Sequence, residues 1–191
     1  MSKIKIGVEL ALPILQLTNR SLRKNIMLKH IYIETSIPSL YYDIRTDAET
    51  VARTHWTQQW WNIERGGYEL VTSSGVIQEL SQGNHPNKTK KMALINNLPL
   101  LPLNQEIAEI IEVYINQFVM PADPTGDALH LAVASYYKID MLLTWNCQHI
   151  ANANKFDHIL RVNTKLGLFT PLLTTPLNLL GGIDNDKRSS D

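Results

Sequence analysis

The chain has 191 residues, of which 44% are hydrophobic, and this length suits one domain with a substantial core. Its 18 basic and 18 acidic side chains balance, which excludes an overall electrostatic footprint for nucleic acid, so any such ligand needs a local patch. The single cysteine, Cys147, cannot form an internal disulfide, which excludes a disulfide-built secreted scaffold and predicts a cytoplasmic protein.

The two ends of the chain differ from its middle. Residues 6–15 are mostly apolar but contain a glutamate and a proline, and a transmembrane helix needs roughly 20 apolar residues. We therefore expect no membrane span, and we interpret residues 1–26 as an extension outside the fold. Residues 183–191 have too few apolar side chains to pack and are predicted to form a mobile tail. The predicted domain covers residues 27–182.

In the first half of this domain the pattern alternates between strand and helix. Residues 30–34 have the β-branched and aromatic side chains of a short buried strand, which ends on a glutamate. Small and aromatic side chains recur every three or four positions over residues 47–65, which predicts a helix that a Gly-Gly pair stops. Residues 68–72 predict a second strand, and Ser73 or Ser74 is placed to cap the helix after it.

The second half continues the alternation. Residues 98–103 contain two prolines and predict an edge strand. Asn104 can cap the next helix, where apolar side chains over residues 107–118 form the clearest amphipathic pattern in the chain. Residues 127–137 are apolar almost all round, as in a helix buried against a sheet, and residues 141–144 predict a short strand. This order predicts an α/β fold with a central parallel sheet flanked by helices.

Three carboxylates occupy the ends of these elements. Glu34 ends the first strand, Glu79 lies in the helix after the second, and Asp127 begins the buried helix. Because sites in open parallel sheets form outside the carboxyl ends of the strands, we expect the three to converge. Two such charges about 5 Å apart repel by roughly 3 kcal/mol at an effective dielectric constant of about 20. Mg²⁺ or Mn²⁺ would offset this cost and could activate a water for attack on a phosphodiester.

Four blocks of the sequence contain these acids and one further polar position. They are Ile-Tyr-Ile-Glu-Thr-Ser, Val-Ile-Gln-Glu-Leu, Gly-Asp-Ala-Leu-His-Leu-Ala-Val-Ala and Leu-Leu-Thr-Trp-Asn, at residues 31–36, 76–80, 126–134 and 142–146. In order and spacing, over residues 28–180, they resemble the signature blocks of the PIN-domain family, and most closely the VapC-like toxin ribonucleases of bacterial toxin–antitoxin pairs. The resemblance implies a three-layer PIN-like fold, an acidic Mg²⁺ or Mn²⁺ site, RNA cleavage, a homodimer and often an inhibitory antitoxin protein.

The chain departs from the family pattern at two positions. The family's first acid is usually aspartate, and Glu34 carries its charge one methylene further out. The fourth position is usually aspartate as well, and here it is Asn146, whose amide oxygen can ligate a metal or hold a metal-bound water but adds no charge. Three carboxylates and one Mg²⁺ carry a net charge of about −1, so we expect one weakly held ion. Asp123 is a candidate for the missing acid.

Several other side chains allow two interpretations. Asn146 fits a turn former as well as a site residue, and His130 is more typical of a packed or hydrogen-bonded helix histidine than of a general base. The basic run at residues 88–91 fits a phosphate-binding patch and a solvated helix start equally well. Trp56 and Trp60 fit a core or dimer interface better than a surface that stacks on bases.

The sequence thus predicts a metal-dependent endoribonuclease. In this hypothesis Glu34, Glu79 and Asp127 hold the metal, and Asn146 assists them as the fourth catalytic residue. The alternative is a catalytically degenerate PIN fold that binds RNA or a partner protein without cleavage, which the lost charge at Asn146 favours. A third interpretation treats the acids as surface charges of an interaction module.

Overall fold

The computed structural model describes residues 28–82 and 85–181. Its five strands, in chain order, are β1 Lys29–Ile33, β2 Tyr68–Ser73, β3 Leu100–Leu101, β4 Met141–Leu143 and β5 Leu172–Thr174. They form a sheet in the order β3-β2-β1-β4-β5, and every neighbouring pair is parallel. The predicted central parallel sheet is confirmed, with β1 in the middle and the proline-flanked β3 at one edge.

Seven α-helices flank this sheet within the described ranges. They are α1 Ser36–Tyr41, α2 Ala48–Gln59, α3 Ser74–Ser81, α4 Lys88–Ile95, α5 Gln105–Asn116, α6 Asp127–Tyr136 and α7 Ala153–Leu166. Parallel strands need long crossover connections, which helices usually provide. The arrangement is the three-layer α/β fold that the sequence predicts. α1, α7 and β5 were not predicted. α1 and β5 are short, whereas α7 has 14 residues and an amphipathic pattern that is sufficient to predict a helix.

The first long helix changes its form at its end. After α2 the chain continues as a π-helical turn, Trp60–Glu64, and then as one 3₁₀ turn, Arg65–Gly67. The wider turn accompanies the burial of two consecutive tryptophans, since Trp60 and Trp61 are both almost completely buried. Trp56 packs on the core and stacks on Trp145 with ring centroids 6.0 Å apart. The interpretation of Trp56 and Trp60 as core residues is confirmed.

α5 follows its predicted pattern except at the end. Its stripe of Ile107, Ile110, Ile111 and Tyr114 is buried. Phe118, predicted to continue the stripe, is 87% exposed. The reason is that α5 ends at Asn116 and Phe118 adopts a left-handed conformation with φ of 55°, which turns its side chain away from the core.

Replacing Asn104 with alanine is expected to lower the free energy of unfolding by about 1 kcal/mol. The Asn104 side-chain oxygen accepts a hydrogen bond from the backbone N–H of Ile107 at 3.0 Å, which satisfies one of the first N–H groups of α5. Urea denaturation measures the change. Asn116→Ala, at the exposed last position of the same helix, is the control, and equal stability of the two variants would contradict the capping role.

α6 has more buried side chains than any other helix in the described ranges. Every side chain from Ala128 to Ser135 is buried, as its nearly all-apolar sequence predicts. A buried polar contact joins it to two neighbours, since Tyr114 donates to Asn163 at 2.6 Å and Asn163 donates to the Ser135 hydroxyl at 3.1 Å. Asp127 therefore begins a helix that is held firmly against the sheet.

No helix in the described ranges is long and apolar enough to cross a membrane. The predicted extension at residues 1–26 and the predicted tail at residues 183–191 lie outside the described residues.

Candidate functional site

The three predicted acids lie at one edge of the sheet. Glu34 directly follows β1, Glu79 lies in the helix that follows β2, and Asp127 begins α6, which leads into β4. β2, β1 and β4 are neighbours and run parallel, so their carboxyl ends share this edge. Asn146 follows β4 at the same edge and contacts Asp127 directly. The four residues predicted from the sequence are therefore brought to the same side of the fold.

Glu34 is the most buried of the acids, with 5% of its surface exposed. Burial raises its pKa above the ordinary range, more than the nearby His130 and the hydrogen bonds from Ser36 lower it. Ser36 donates both its backbone N–H, at 2.9 Å, and its hydroxyl to this carboxylate. The Ser36 oxygen also accepts from the N–H of Trp145 at 2.8 Å. Ser36 thus ties the end of β1 to the end of β4 around a costly buried charge.

Glu79 is held by two donors. The Thr35 hydroxyl donates to its Oε2 at 2.5 Å, and His130 Nε2 lies 3.1 Å from the same oxygen. Burial pushes the pKa of Glu79 upward, but the hydrogen bonds from His130 and Thr35 outweigh it and leave the pKa below the ordinary value. Glu79 is therefore ionised at neutral pH. Because an ionised carboxylate can only accept, His130 Nε2–H is the donor.

His130 connects this site to the core. Its side chain is 2% exposed, and its Nδ1 lies 3.1 Å from the Tyr32 hydroxyl, which is 2.7 Å from the Ser73 hydroxyl. Ser73 occupies the predicted cap position of α3 but forms no capping hydrogen bond, because its hydroxyl contacts Tyr32 instead. The interpretation of His130 as a hydrogen-bonded helix histidine is confirmed. Its contact with Glu79 was not predicted, although its place one turn after Asp127 is the sequence signal for it.

A glycine allows α3 to approach α6 closely enough for this contact. A Cβ on Gly75 would clash with the side chain of Leu129, one residue before His130. A larger residue at this position would have to displace the end of the Leu129 side chain from this contact. The glycine therefore helps to place Glu79 of α3 within hydrogen-bonding distance of His130.

Asn146 contacts Asp127 through its amide nitrogen. Nδ2 donates to both carboxylate oxygens of Asp127, at 2.8 and 2.9 Å. The amide oxygen accepts from the backbone N–H groups of Gln148 and His149, at 3.2 and 3.0 Å. Asn146 is thus a turn former and a neighbour of Asp127 at once. Burial raises the pKa of Asp127, while the Asn146 hydrogen bond opposes the rise, so a second carboxylate here would add repulsion.

Asp123 lies at the exposed rim of the same cluster. Its Oδ1 accepts from the backbone N–H and the hydroxyl of Thr125, both at 2.9 Å, and these bonds lower its pKa. Its negative charge acts on Glu79, and Gly126 allows its approach, since a Cβ there would lie 2.8 Å from the carboxylate. Asp123 therefore adds charge to the rim of the acidic cluster.

The donor chemistry of the cluster suits a hard cation. Its carboxylates and hydroxyls offer oxygen ligands, which Mg²⁺ and Mn²⁺ prefer. Among the described residues, no group of three or more His, Cys, Asp or Glu side chains is spaced to hold a metal ion. The hydrogen bonds explain this spacing, because Ser36 holds Glu34, Thr35 and His130 hold Glu79, and Asn146 holds Asp127. The residues fit the ion by type. Binding it requires Glu34 and Asp127 to exchange donors for the metal, whereas both donors of Glu79 contact its Oε2 and leave Oε1 available.

Fold and site together define a class: an α/β protein with a five-stranded parallel sheet and an acidic cluster at the carboxyl edge of its central strands. No protein-family model matches the chain, and no curated protein matches it significantly. Membership of the PIN-domain family stays a prediction from the four sequence blocks.

Proposed function

We propose that this protein is a metal-dependent endoribonuclease of the PIN-domain type, which hydrolyses RNA phosphodiester bonds. The observation that carries the proposal is the placement of Glu34, Glu79 and Asp127 at one edge of the sheet, with Glu34 almost completely buried. A buried carboxylate with a raised pKa lacks a charge partner of sufficient strength. A divalent cation bound by the three acids would be that partner.

The side chains have distinct roles in this proposal. Glu34, Glu79 and Asp127 would hold Mg²⁺ or Mn²⁺, which would lower the pKa of a water and polarise the phosphoryl group. His130 and Thr35 keep Glu79 ionised and fix its position. Asn146 orients Asp127 through its amide N–H groups and adds no charge, so the site attracts a cation less strongly than four carboxylates would.

The finer assignment follows the sequence resemblance. We propose that the ribonuclease is the toxin of a toxin–antitoxin pair, that it acts in the cytoplasm as a homodimer, and that an antitoxin protein inhibits it. The resemblance of the four blocks to VapC-like toxins supports this assignment, and the fold is compatible with it.

A specific contact favours a second candidate function, a degenerate PIN fold that binds RNA or a partner protein without cutting. The amide oxygen of Asn146 is bonded to two backbone N–H groups, and its nitrogen is bonded to both oxygens of Asp127. Both carboxylate oxygens of Asp127 therefore accept hydrogen bonds without a metal. This arrangement predicts that Asn146→Asp creates metal-dependent cleavage where the wild type has none.

Thermal melting across a Mn²⁺ titration tests whether the acids bind metal. Wild type is expected to gain about 1.4 kcal/mol of stability when the free Mn²⁺ concentration is ten times Kd. Asp127→Asn is expected to lose this gain, because it removes one charge from the cluster. Asp157→Asn, which changes an exposed acid of α7, is the matched control and should respond as wild type does. Equal responses of Asp127→Asn and wild type would contradict the metal site.

An RNA panel then separates the two candidate functions. The proposed ribonuclease cuts at least one RNA with Mn²⁺ present and none with EDTA. Cleavage that continues unchanged in EDTA would contradict the mechanism. Mn²⁺ stabilisation without any cleavage, together with cleavage by Asn146→Asp, would support the degenerate fold.

A further inference from the structure

A cavity of about 230 Å³ lies beside Glu79, between α1, α3 and α4. It opens next to the acidic cluster but is lined by side chains of another character. Its polar lining consists of Thr35, Ser39, Glu79, His85, Lys88 and Lys91. Among the described residues, two lysines, a histidine and two hydroxyls face this space together with one carboxylate, which is already bonded to His130 and Thr35.

The two lysines are on one face of α4. Lys88 and Lys91 are three positions apart, which places them on the same side of a helix, and both are half-buried. The Lys88 ammonium donates to the carbonyl oxygen of Ser81, which fixes it at the cavity wall. Lys91 forms no ion pair with any carboxylate in the described ranges. A half-buried cation of this kind makes the cavity attractive to an anion.

The basic lining continues away from the acidic cluster. A neighbouring cavity of about 240 Å³ shares His85 and Lys91 with the first and adds Arg45 and Asp43, which form an ion pair at 2.7 Å and offset each other's charge, so Lys91 is the cation common to both cavities. The surface thus changes from acidic at Glu79 to basic at Lys91. In a polynucleotide with one phosphodiester at the acidic cluster, the adjoining phosphate is negatively charged and would be stabilised by the basic side chains beside that cluster.

We infer that this cavity binds a backbone phosphate of a polynucleotide, next to the bond that the acidic cluster hydrolyses. Lys91 and Lys88 contact the phosphate oxygens, and the Ser39 hydroxyl, which has no hydrogen-bond partner among the described residues, donates to them. The inference rests on the proposed function for the identity of the ligand. It assigns to two lysines of the basic run a positioning role that the third, Lys90, does not share.

The matched comparison is Lys91→Ala against Lys90→Ala. Both remove one positive charge from α4, but Lys90 is exposed and does not line the cavity. The probe is a short, labelled, random-sequence single-stranded RNA, and its binding is followed by fluorescence anisotropy in EDTA so that the RNA stays intact. Lys91→Ala is expected to weaken binding about tenfold and to reduce the slope of log K against log salt concentration by about 0.7. Lys91→Arg, which keeps the charge, should retain most of the affinity and the slope.

Each remaining outcome decides one point. Equal losses for Lys91→Ala and Lys90→Ala, or an absence of RNA binding by wild type, would overturn the phosphate site. Thermal melting with inorganic phosphate distinguishes a site for free phosphate from a site for RNA. If Lys91→Ala loses the stabilisation by phosphate but keeps its affinity for RNA, the inference is overturned. Lys91-dependent binding of RNA that Mn²⁺ never converts to cleavage supports the phosphate site and contradicts the ribonuclease. Mn²⁺-dependent cleavage that Lys91→Ala leaves unchanged supports the ribonuclease and contradicts the phosphate site.

Discussion

Replacing His130 with alanine is expected to lower the free energy of unfolding by about 3 kcal/mol. The imidazole is 2% exposed, so alanine leaves a cavity in the middle of the domain. Glu79 and Tyr32 also lose a hydrogen-bond partner, at the Nε2 and Nδ1 positions respectively. Urea denaturation measures the loss. His55→Ala, at an exposed position of α2, is the control and is expected to change stability by less than about 0.5 kcal/mol.

The same substitution tests whether His130 positions Glu79 for the metal. Without the donor on Nε2, Glu79 loses the hydrogen bond that most strongly lowers its pKa, so Mn²⁺ should stabilise His130→Ala less than it stabilises wild type. His130→Gln keeps an N–H at the end of the side chain and is expected to recover part of the response. A His130→Ala protein that is unstable yet responds fully to Mn²⁺ would show that His130 only packs.

Replacing Glu34 with glutamine is expected to raise the free energy of unfolding by about 1 kcal/mol in metal-free buffer at neutral pH. The substitution removes a buried charge whose pKa burial holds above its ordinary value. It keeps a side chain that can accept from the Ser36 N–H and donate to the Ser36 hydroxyl. Urea denaturation of wild type and variant measures the gain. Glu112→Gln, at an exposed position of α5, should have no measurable effect.

The pH dependence has a definite direction. Since the folded pKa of Glu34 is raised, the unfolded state gives up its proton first as the pH increases. The favourable contribution of the protonated group is present below the unfolded pKa and is lost as the pH rises through the folded pKa. The advantage of Glu34→Gln over wild type is therefore absent at low pH and develops as the pH rises toward the folded pKa. An advantage that grows as the pH falls would contradict the assignment.

Glu79 gives the opposite expectation, which makes it the internal comparison for Glu34. Its pKa is lowered, so its stabilising contribution is present above the unfolded pKa and is lost as the pH falls through the folded pKa. Glu79→Gln is expected to destabilise the metal-free protein at neutral pH. In saturating Mn²⁺ both variants should be less stabilised than wild type. If Glu34→Gln and Glu79→Gln shifted metal-free stability in the same direction, the difference between the two environments would be contradicted.

Several features of the fold and the site could be predicted from local sequence. Local patterns located β1, β2, β4, α5 and α6. Runs of β-branched, aromatic or aliphatic side chains marked the strands, a period-3.6 stripe marked α5, and a nearly all-apolar run marked α6. The Asn104 cap could be predicted from local sequence as well, since the bond it forms spans three residues. α1, with six residues, is too short for a periodic pattern. β5 has three residues like β4, but only Thr174 of β5 is buried, so it lacks the apolar run that marks β4.

By itself the sequence determined the order of strands and helices and the positions of Glu34, Glu79 and Asp127 at their ends. Only the tertiary structure decided what each acid contacts: Ser36 for Glu34, Thr35 and His130 for Glu79, and Asn146 for Asp127. It also decided that the amide oxygen of Asn146 faces the backbone and that Lys91, but not Lys90, lines a cavity. The physical reason is one of range. Secondary structure follows from neighbours along the chain, whereas the pKa and orientation of a side chain follow from burial and from donors that are distant in sequence.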